Sequence, residues 1–164
     1  MSRPCRIALS LAVVYLSWMA MMAIHESGHV LAAWAAGGRV RRVVLPLAGF
    51  SRTDVEPNPS PRLEIWGGPL VGSVIPLLAW LLVRKKCSNW LKALLGFCAG
   101  LCLVANGAYL GIGWMMSAGD AADLAKLGTP IWLLIVVGLM DVAIGLYVWH
   151  TLGHLQNIFK ASTR

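Results

Sequence analysis

The sequence predicts an all-α polytopic membrane protein, with about four transmembrane helices and a short β-hairpin-like loop after the first. Three observations carry that expectation. The 164 residues are 58% hydrophobic and only 13% charged, with a mean hydropathy of +0.69. A soluble domain of this length needs far less apolar surface. The apolar residues are also gathered into runs, at 7–36, 63–83, 90–116 and 130–150. Each run is long enough to cross a hydrocarbon layer of about 30 Å. The segments between them hold most of the charge and much of the proline, as connections at a membrane surface do.

The length, 1–164, is that of a single domain, and no internal repeat is present. The net charge of +7 is spread over loops and ends, without a long basic run. Charge so placed fixes topology and touches the lipid bilayer, and nucleic acid is not an expected partner. The four cysteines, Cys5, Cys87, Cys98 and Cys102, do not form a disulfide framework. Cys98 and Cys102 stand four apart in an apolar helix, where free thiols pack as small hydrophobes.

Arg3 and Arg6 precede the first span, which resembles a signal peptide with a small-x-small pattern at Ala33-Trp34-Ala35. The run is too long for that, and cleavage there would discard the residues that carry the chemistry. Gly37-Gly38 ends the helix. Arg39 to Leu45 is β-branched with some alternation, then Pro46 and Gly49 follow, so a hairpin or extended loop is expected. Arg39, Arg41 and Arg42 fit an interfacial charge cluster; a strand edge open to an extended substrate is the alternative. Pro57, Pro59 and Pro61 mark a stiff connector. The second span contains Gly67-Gly68-Pro69, Gly72 and Pro76, which favour close helix approach and kinks, and Arg84-Lys85-Lys86 closes it. The third carries Asn106, and a polar segment, 117–128, follows. The fourth holds Asp141 near its middle.

The chemistry lies in Ala23-Ile24-His25-Glu26-Ser27-Gly28-His29, a His-Glu-x-x-His pattern inside the first span. On a helix, residues four apart share a face, so two imidazoles can fill two corners of a tetrahedral zinc site. Glu26 then stands beside the open corner and can take a proton from a zinc-bound water. The bland alternative is a chance pattern whose histidines bond to neighbouring helices. Ionisable groups in an apolar helix have no cheap packing rationale, which weighs against it.

Zinc in such a site takes a third protein ligand and leaves a water position. His25 lies about 27 Å of helix beyond Ile7, toward the side opposite the N-terminus. We denote the N-terminal side X and the other Y. Four crossings bring 37–62 and 117–129 to Y, and 84–89 and the tail to X. Asp120 and Asp123 therefore share the histidines' side, whereas His150 and His154 lie across the membrane as interfacial residues. Asp120, after a glycine where the helix can break, is the first choice for the ligand. Asp123 is the reserve, with helix capping as its ordinary explanation.

These residues resemble the site-2 protease family of intramembrane zinc metalloproteases. The resemblance rests on the His-Glu-x-x-His helix, the basic Gly-Gly-Arg-Val stretch after it, Gly68-Pro69, and a Gly-Asp near the end of a later span. It runs from residue 7 to about 128. Two departures stand out. The family's later motif usually reads Leu-Asp-Gly or Asn-Pro-x-x-x-x-Asp-Gly, whereas this chain has Ala118-Gly119-Asp120-Ala121. The family also tends to carry an Asn shortly after Gly-Pro, where this chain has Val71-Gly72-Ser73, so that residue's substrate-gripping role does not transfer.

The resemblance implies one zinc per chain on His25, His29 and Asp120, and peptide-bond hydrolysis in membrane-embedded substrates with Glu26 activating the water. It also implies a minimal core without a regulatory domain, in a bacterial inner membrane with the active site toward the cytosol. A membrane-spanning protein or peptide is the expected substrate, and a membrane regulator a further partner. Lysine and arginine, eight on X against six on Y, do not themselves fix the orientation. A non-catalytic membrane scaffold or partner-binding subunit with a protease-like fold is the alternative. Retention of both histidines and Glu26 argues against it. A metal or proton transporter would need polar residues through several spans, and only Asn106 and Asp141 interrupt the others.

Overall fold

The computed structural model describes residues 2–85, 88–117 and 119–162, with side chains as far as Gly153. Expectations for Lys86, Cys87, Ala118 and Arg164, and for the side chains of His154 and Lys160, lie outside the described residues. The elements run α1 (Arg3–Ala35), β1 (Val40–Val44), β2 (Arg52–Val55), α2 (Pro61–Val83), α3 (Asn89–Ile112), α4 (Asp120–Lys126) and α5 (Ile131–Ser162). A 3₁₀ turn, Gly113–Met116, prolongs α3. Among the described residues, four helices are long and apolar enough to cross a membrane: α1, α2, α3 with its turn, and α5. The protein is an integral membrane protein.

The helix ends follow local chemistry. Pro4 occupies the first turn of α1, where its missing N–H costs nothing, so the helix starts earlier than the apolar run. At the other end Gly37 adopts φ +75°, and Gly37 N–H and Gly38 N–H donate to the Trp34 and Ala33 carbonyls. These two bonds close a Schellman cap, which satisfies carbonyls the helix would otherwise strand. The same cap ends α4 through Gly128 and Thr129, so the polar 117–128 segment contains a helix rather than a simple loop. Pro69 and Pro76 both lie inside α2, which continues through them.

Helix α2 packs between α1 and α3, and α5 covers the far side of α3. Glycine sets the closest approaches. A Cβ on Gly67 would meet the Gly28 carbonyl oxygen at 2.5 Å, and one on Gly107 the Gly138 oxygen at 2.6 Å. Backbones can come this near only where side chains are absent, and dispersion between them then replaces contact with lipid. One apolar cluster (Trp80, Ala99, Leu103, Val148) fills the X half. Another (Leu110, Ala121, Leu124, Leu134) anchors α4 under the Y end. Between them Ser73 Oγ donates to Asp141 Oδ2 at 2.6 Å, tying α2 to α5.

Helices α1 and α3 touch little, which leaves a cleft between them. The antiparallel hairpin β1–β2 (Val44↔Arg52, Val43↔Thr53) closes part of it. The hairpin turns back along α1 rather than outward. Its tip reaches Tyr15, whose hydroxyl donates to the Leu47 carbonyl at 3.1 Å, and Phe50 stacks on Tyr109 of α3. Tyr15 lies about 16 Å of helix from Glu26, so the hairpin descends beside the spans. Non-helical backbone at that depth is tolerated where it lines a cavity, and Gly49, Phe50, Ser51, Arg52 and Thr53 of the hairpin do so.

Candidate metal centre

His25 and His29 project from one face of α1 into the cleft, both buried, with ring centroids 4.9 Å apart. Asp120 arrives from the first position of α4. Gly119 before it holds φ +78°, in the left-handed region that glycine occupies freely, and a Cβ there would collide with the Tyr109 hydroxyl. This turn delivers Asp120 Oδ2 to 2.8 Å from His25 Nε2 and 3.5 Å from His29 Nε2, and the two Nε2 atoms are 3.1 Å apart. Tetrahedral ligands at zinc bond lengths of about 2.0–2.1 Å stand roughly 3.3 Å from one another. The donor set fits zinc in number, type and spacing.

Both imidazoles are held from behind. His25 Nδ1–H donates to Asn106 Oδ1 at 2.6 Å, while Asn106 Nδ2 donates to the Cys102 carbonyl at 2.9 Å. His29 Nδ1–H faces Glu64 Oε1 at 2.9 Å and the Glu64 carbonyl at 3.1 Å. An acceptor behind each Nδ1 assigns the ring proton there and leaves the Nε2 lone pair for a metal. Glycine again makes room. A Cβ on Gly68 would collide with His29 Nε2 and lie 2.8 Å from His25 Nε2, so its absence keeps the space between the donors open. Burial alone would raise the pKa of Asp120, but its contacts with His25 and His29 prevail and hold its carboxyl well below the usual carboxylate range.

Glu26 is 2% exposed and faces the same cavity. Thr53 Oγ1 donates to Glu26 Oε2 at 2.6 Å from strand β2, fixing the carboxylate. The cavity, about 830 Å³, is walled by Trp18, Met21 and Met22 of α1 and by Ala108, Tyr109 and Ile112 of α3. Asp123 lines its rim but is half-exposed and pairs with Lys126 at 2.8 Å, outside the donor cluster. His150 lies among Arg84 and Lys85 near the opposite end.

The His-Glu-x-x-His pattern does not point to Glu64, Asn106 or Thr53. Asn106 did carry a signal, being a polar side chain in an apolar span. Glu64 has the ordinary place of an acidic residue in a helix's first turn, and Thr53 carries no mark at all. Among the described residues Cys5, Cys98 and Cys102 are free thiols.

No curated protein and no solved structure matches the chain. Residues 5–163 match the family model described as Peptidase M50B-like, in agreement with the likeness to site-2 proteases, and the chain belongs to the Peptidase M50B-like family.

Proposed function

We propose that the protein is an intramembrane zinc metalloprotease that hydrolyses peptide bonds of membrane-embedded substrates. The M50 family consists of zinc metalloproteases. The observation that carries the reading for this chain is the convergence of His25 Nε2, His29 Nε2 and Asp120 Oδ2 beside Glu26 in a membrane-spanning bundle. Zinc, when bound, supplies Lewis acidity that lowers the pKa of water and polarises a carbonyl.

The chain's own residues do the rest. Glu26 accepts a proton from water as its oxygen bonds to the scissile carbonyl carbon. It returns that proton to the amine nitrogen as the C–N bond breaks. Thr53 holds one carboxylate oxygen so that the other is free for this transfer. Asn106 and Glu64 keep the imidazoles in the ligating tautomer. The apolar walls of the cleft suit a hydrophobic segment. Its backbone must unwind to be cut, because helical carbonyls are hydrogen-bonded and shielded. Strand β2, bordering the cleft, offers such a segment an edge to pair with.

The test begins with metal content of the detergent-purified protein, wild type beside His25→Ala, Asp120→Ala and Asp123→Ala. One zinc per chain, lost in the first two variants and kept in Asp123→Ala, is expected. Cleavage of a co-expressed panel of single-span proteins, absent with Glu26→Gln, completes it. A wild type without stoichiometric zinc after zinc is supplied would sink the protease reading and favour the scaffold.

A further inference from the structure

A second cavity, about 520 Å³, opens at the X end, across the bundle from the metal donors. Its volume falls within the roughly 300–1,000 Å³ of small-molecule sites. Three cations from two helix ends line it: Arg84 and Lys85 after α2, and Lys92 in the first turn of α3. Arg84 and Lys85 are exposed and Lys92 is half-buried. Trp80 and Tyr147 wall it, and the Arg84 guanidinium lies over the Trp80 ring, 5.3 Å from its centroid.

The distribution of acid across the molecule bears on these cations. The chain has seven acidic side chains. Glu26, Asp54, Glu56, Glu64, Asp120 and Asp123 belong to the Y half, and Asp141 is mid-span, bonded to Ser73. None of these side chains belongs to the X end. Among the described residues, Arg84, Lys85 and Lys92 accordingly have no carboxylate partner, whereas Arg41, Arg42, Arg52 and Lys126 at Y all do. Three cations brought around one cavity repel each other, and among the described residues no carboxylate offsets that. An anion from outside would.

We propose that this cavity binds the headgroup of an anionic phospholipid. Its place at the ends of three membrane-spanning helices selects a lipid over a soluble anion. The phosphate would sit among Arg84, Lys85 and Lys92, at the depth where interfacial aromatic rings such as Trp80 and Tyr147 settle. Acyl chains would follow the exposed apolar side chains of α5, including Leu139 and Leu146. The site is independent of the metal centre and of the protease reading.

Native mass spectrometry of the detergent-purified full chain tests this, with dioleoyl phosphatidylglycerol, dioleoyl phosphatidylcholine and inorganic phosphate as probes. One phosphatidylglycerol should bind saturably, at least about tenfold tighter than phosphatidylcholine. Each cation near a lipid phosphate contributes roughly fivefold in affinity, so Arg84→Gln/Lys85→Gln/Lys92→Gln should weaken binding on the order of a hundredfold. Lys92→Gln alone should cost about fivefold and serves if the triple variant fails to fold. The control, Arg3→Gln/Arg6→Gln, removes two X-side cations outside the cavity and should bind as wild type. Equal binding of the two lipids would overturn the proposal, and so would an equal loss in the control. Displacement of phosphatidylglycerol by millimolar phosphate would overturn it in favour of a soluble-anion site.

Discussion

Glu64 and Asn106 touch no substrate, yet each decides what a histidine can do. A neutral imidazole has one donor and one acceptor nitrogen, and the partner of Nδ1 settles which is which. Removing a side-chain acceptor behind Nδ1 loosens the ring: at His25 it takes away Asn106 Oδ1, and at His29 it leaves the Glu64 backbone carbonyl at 3.1 Å without the carboxylate beside it. Glu64→Ala and Asn106→Ala should therefore each weaken zinc affinity by about 10–100-fold, measured by competition with a chromogenic chelator. Glu64→Gln, which keeps an acceptor at the same reach, should retain most of it. Equal zinc affinity in all these variants would show that the imidazoles are held by packing alone. Histidines and Glu26 could be picked out from sequence because a helix places i and i+4 together without help from the rest of the chain. Their supporting residues are 35 and 81 positions away from the rings they hold. No local pattern encodes such a contact.

At the level of elements, α2 matters as much as α1, although it contributes no metal donor. Its glycine face lets it lie against α1 at Gly28, against the imidazoles at Gly68 and against Asn106 at Gly72. A methyl group at Gly68 would occupy the space between the two Nε2 atoms. Gly68→Ala is expected to lower zinc affinity at least about tenfold, since even modest displacement of ligands and their supports costs that much. Gly111→Ala is the matched control, because its Cβ would meet nothing closer than 3.7 Å. Zinc titration of both variants checks the pair; equal effects would refute a specific role for Gly68. The hairpin gives the opposite lesson. Its β-branched residues and turn signals announce two short strands. Its descent beside α1 depends on Tyr15, Thr53 and Tyr109 meeting partners far along the chain. Exposed Leu47 and Phe50 at the tip suit that depth, but apolar residues on a loop do not by themselves say which way it folds.

Over the whole molecule, an even number of crossings returns the chain to the side where it began, with His25, His29 and Asp120 gathered at the other end. We propose that this Y end faces the cytosol of a bacterial inner membrane, the orientation that the likeness to site-2 proteases implies. Alkaline phosphatase fused after residue 164 should then be active, and green fluorescent protein at the same point dark. The reverse result would turn the metal site outward. Length, hydropathy and the His-Glu-x-x-His spacing by themselves determined a four-span bundle, a hairpin after the first span and the helix that carries Glu26. These depend on periodicity and burial in lipid, which act along a single segment. The side of the membrane for Asp120 also followed from counting spans. Tertiary structure alone decided that Asp120 rather than Asp123 meets the imidazoles. It likewise decided that Glu64 and Asn106 stand behind them, that Thr53 holds Glu26, and that three cations surround one cavity at the far end. Each of these is a contact between helices or strands remote in sequence. Such contacts form only once glycine-lined helices have packed closely enough for side chains to choose among partners.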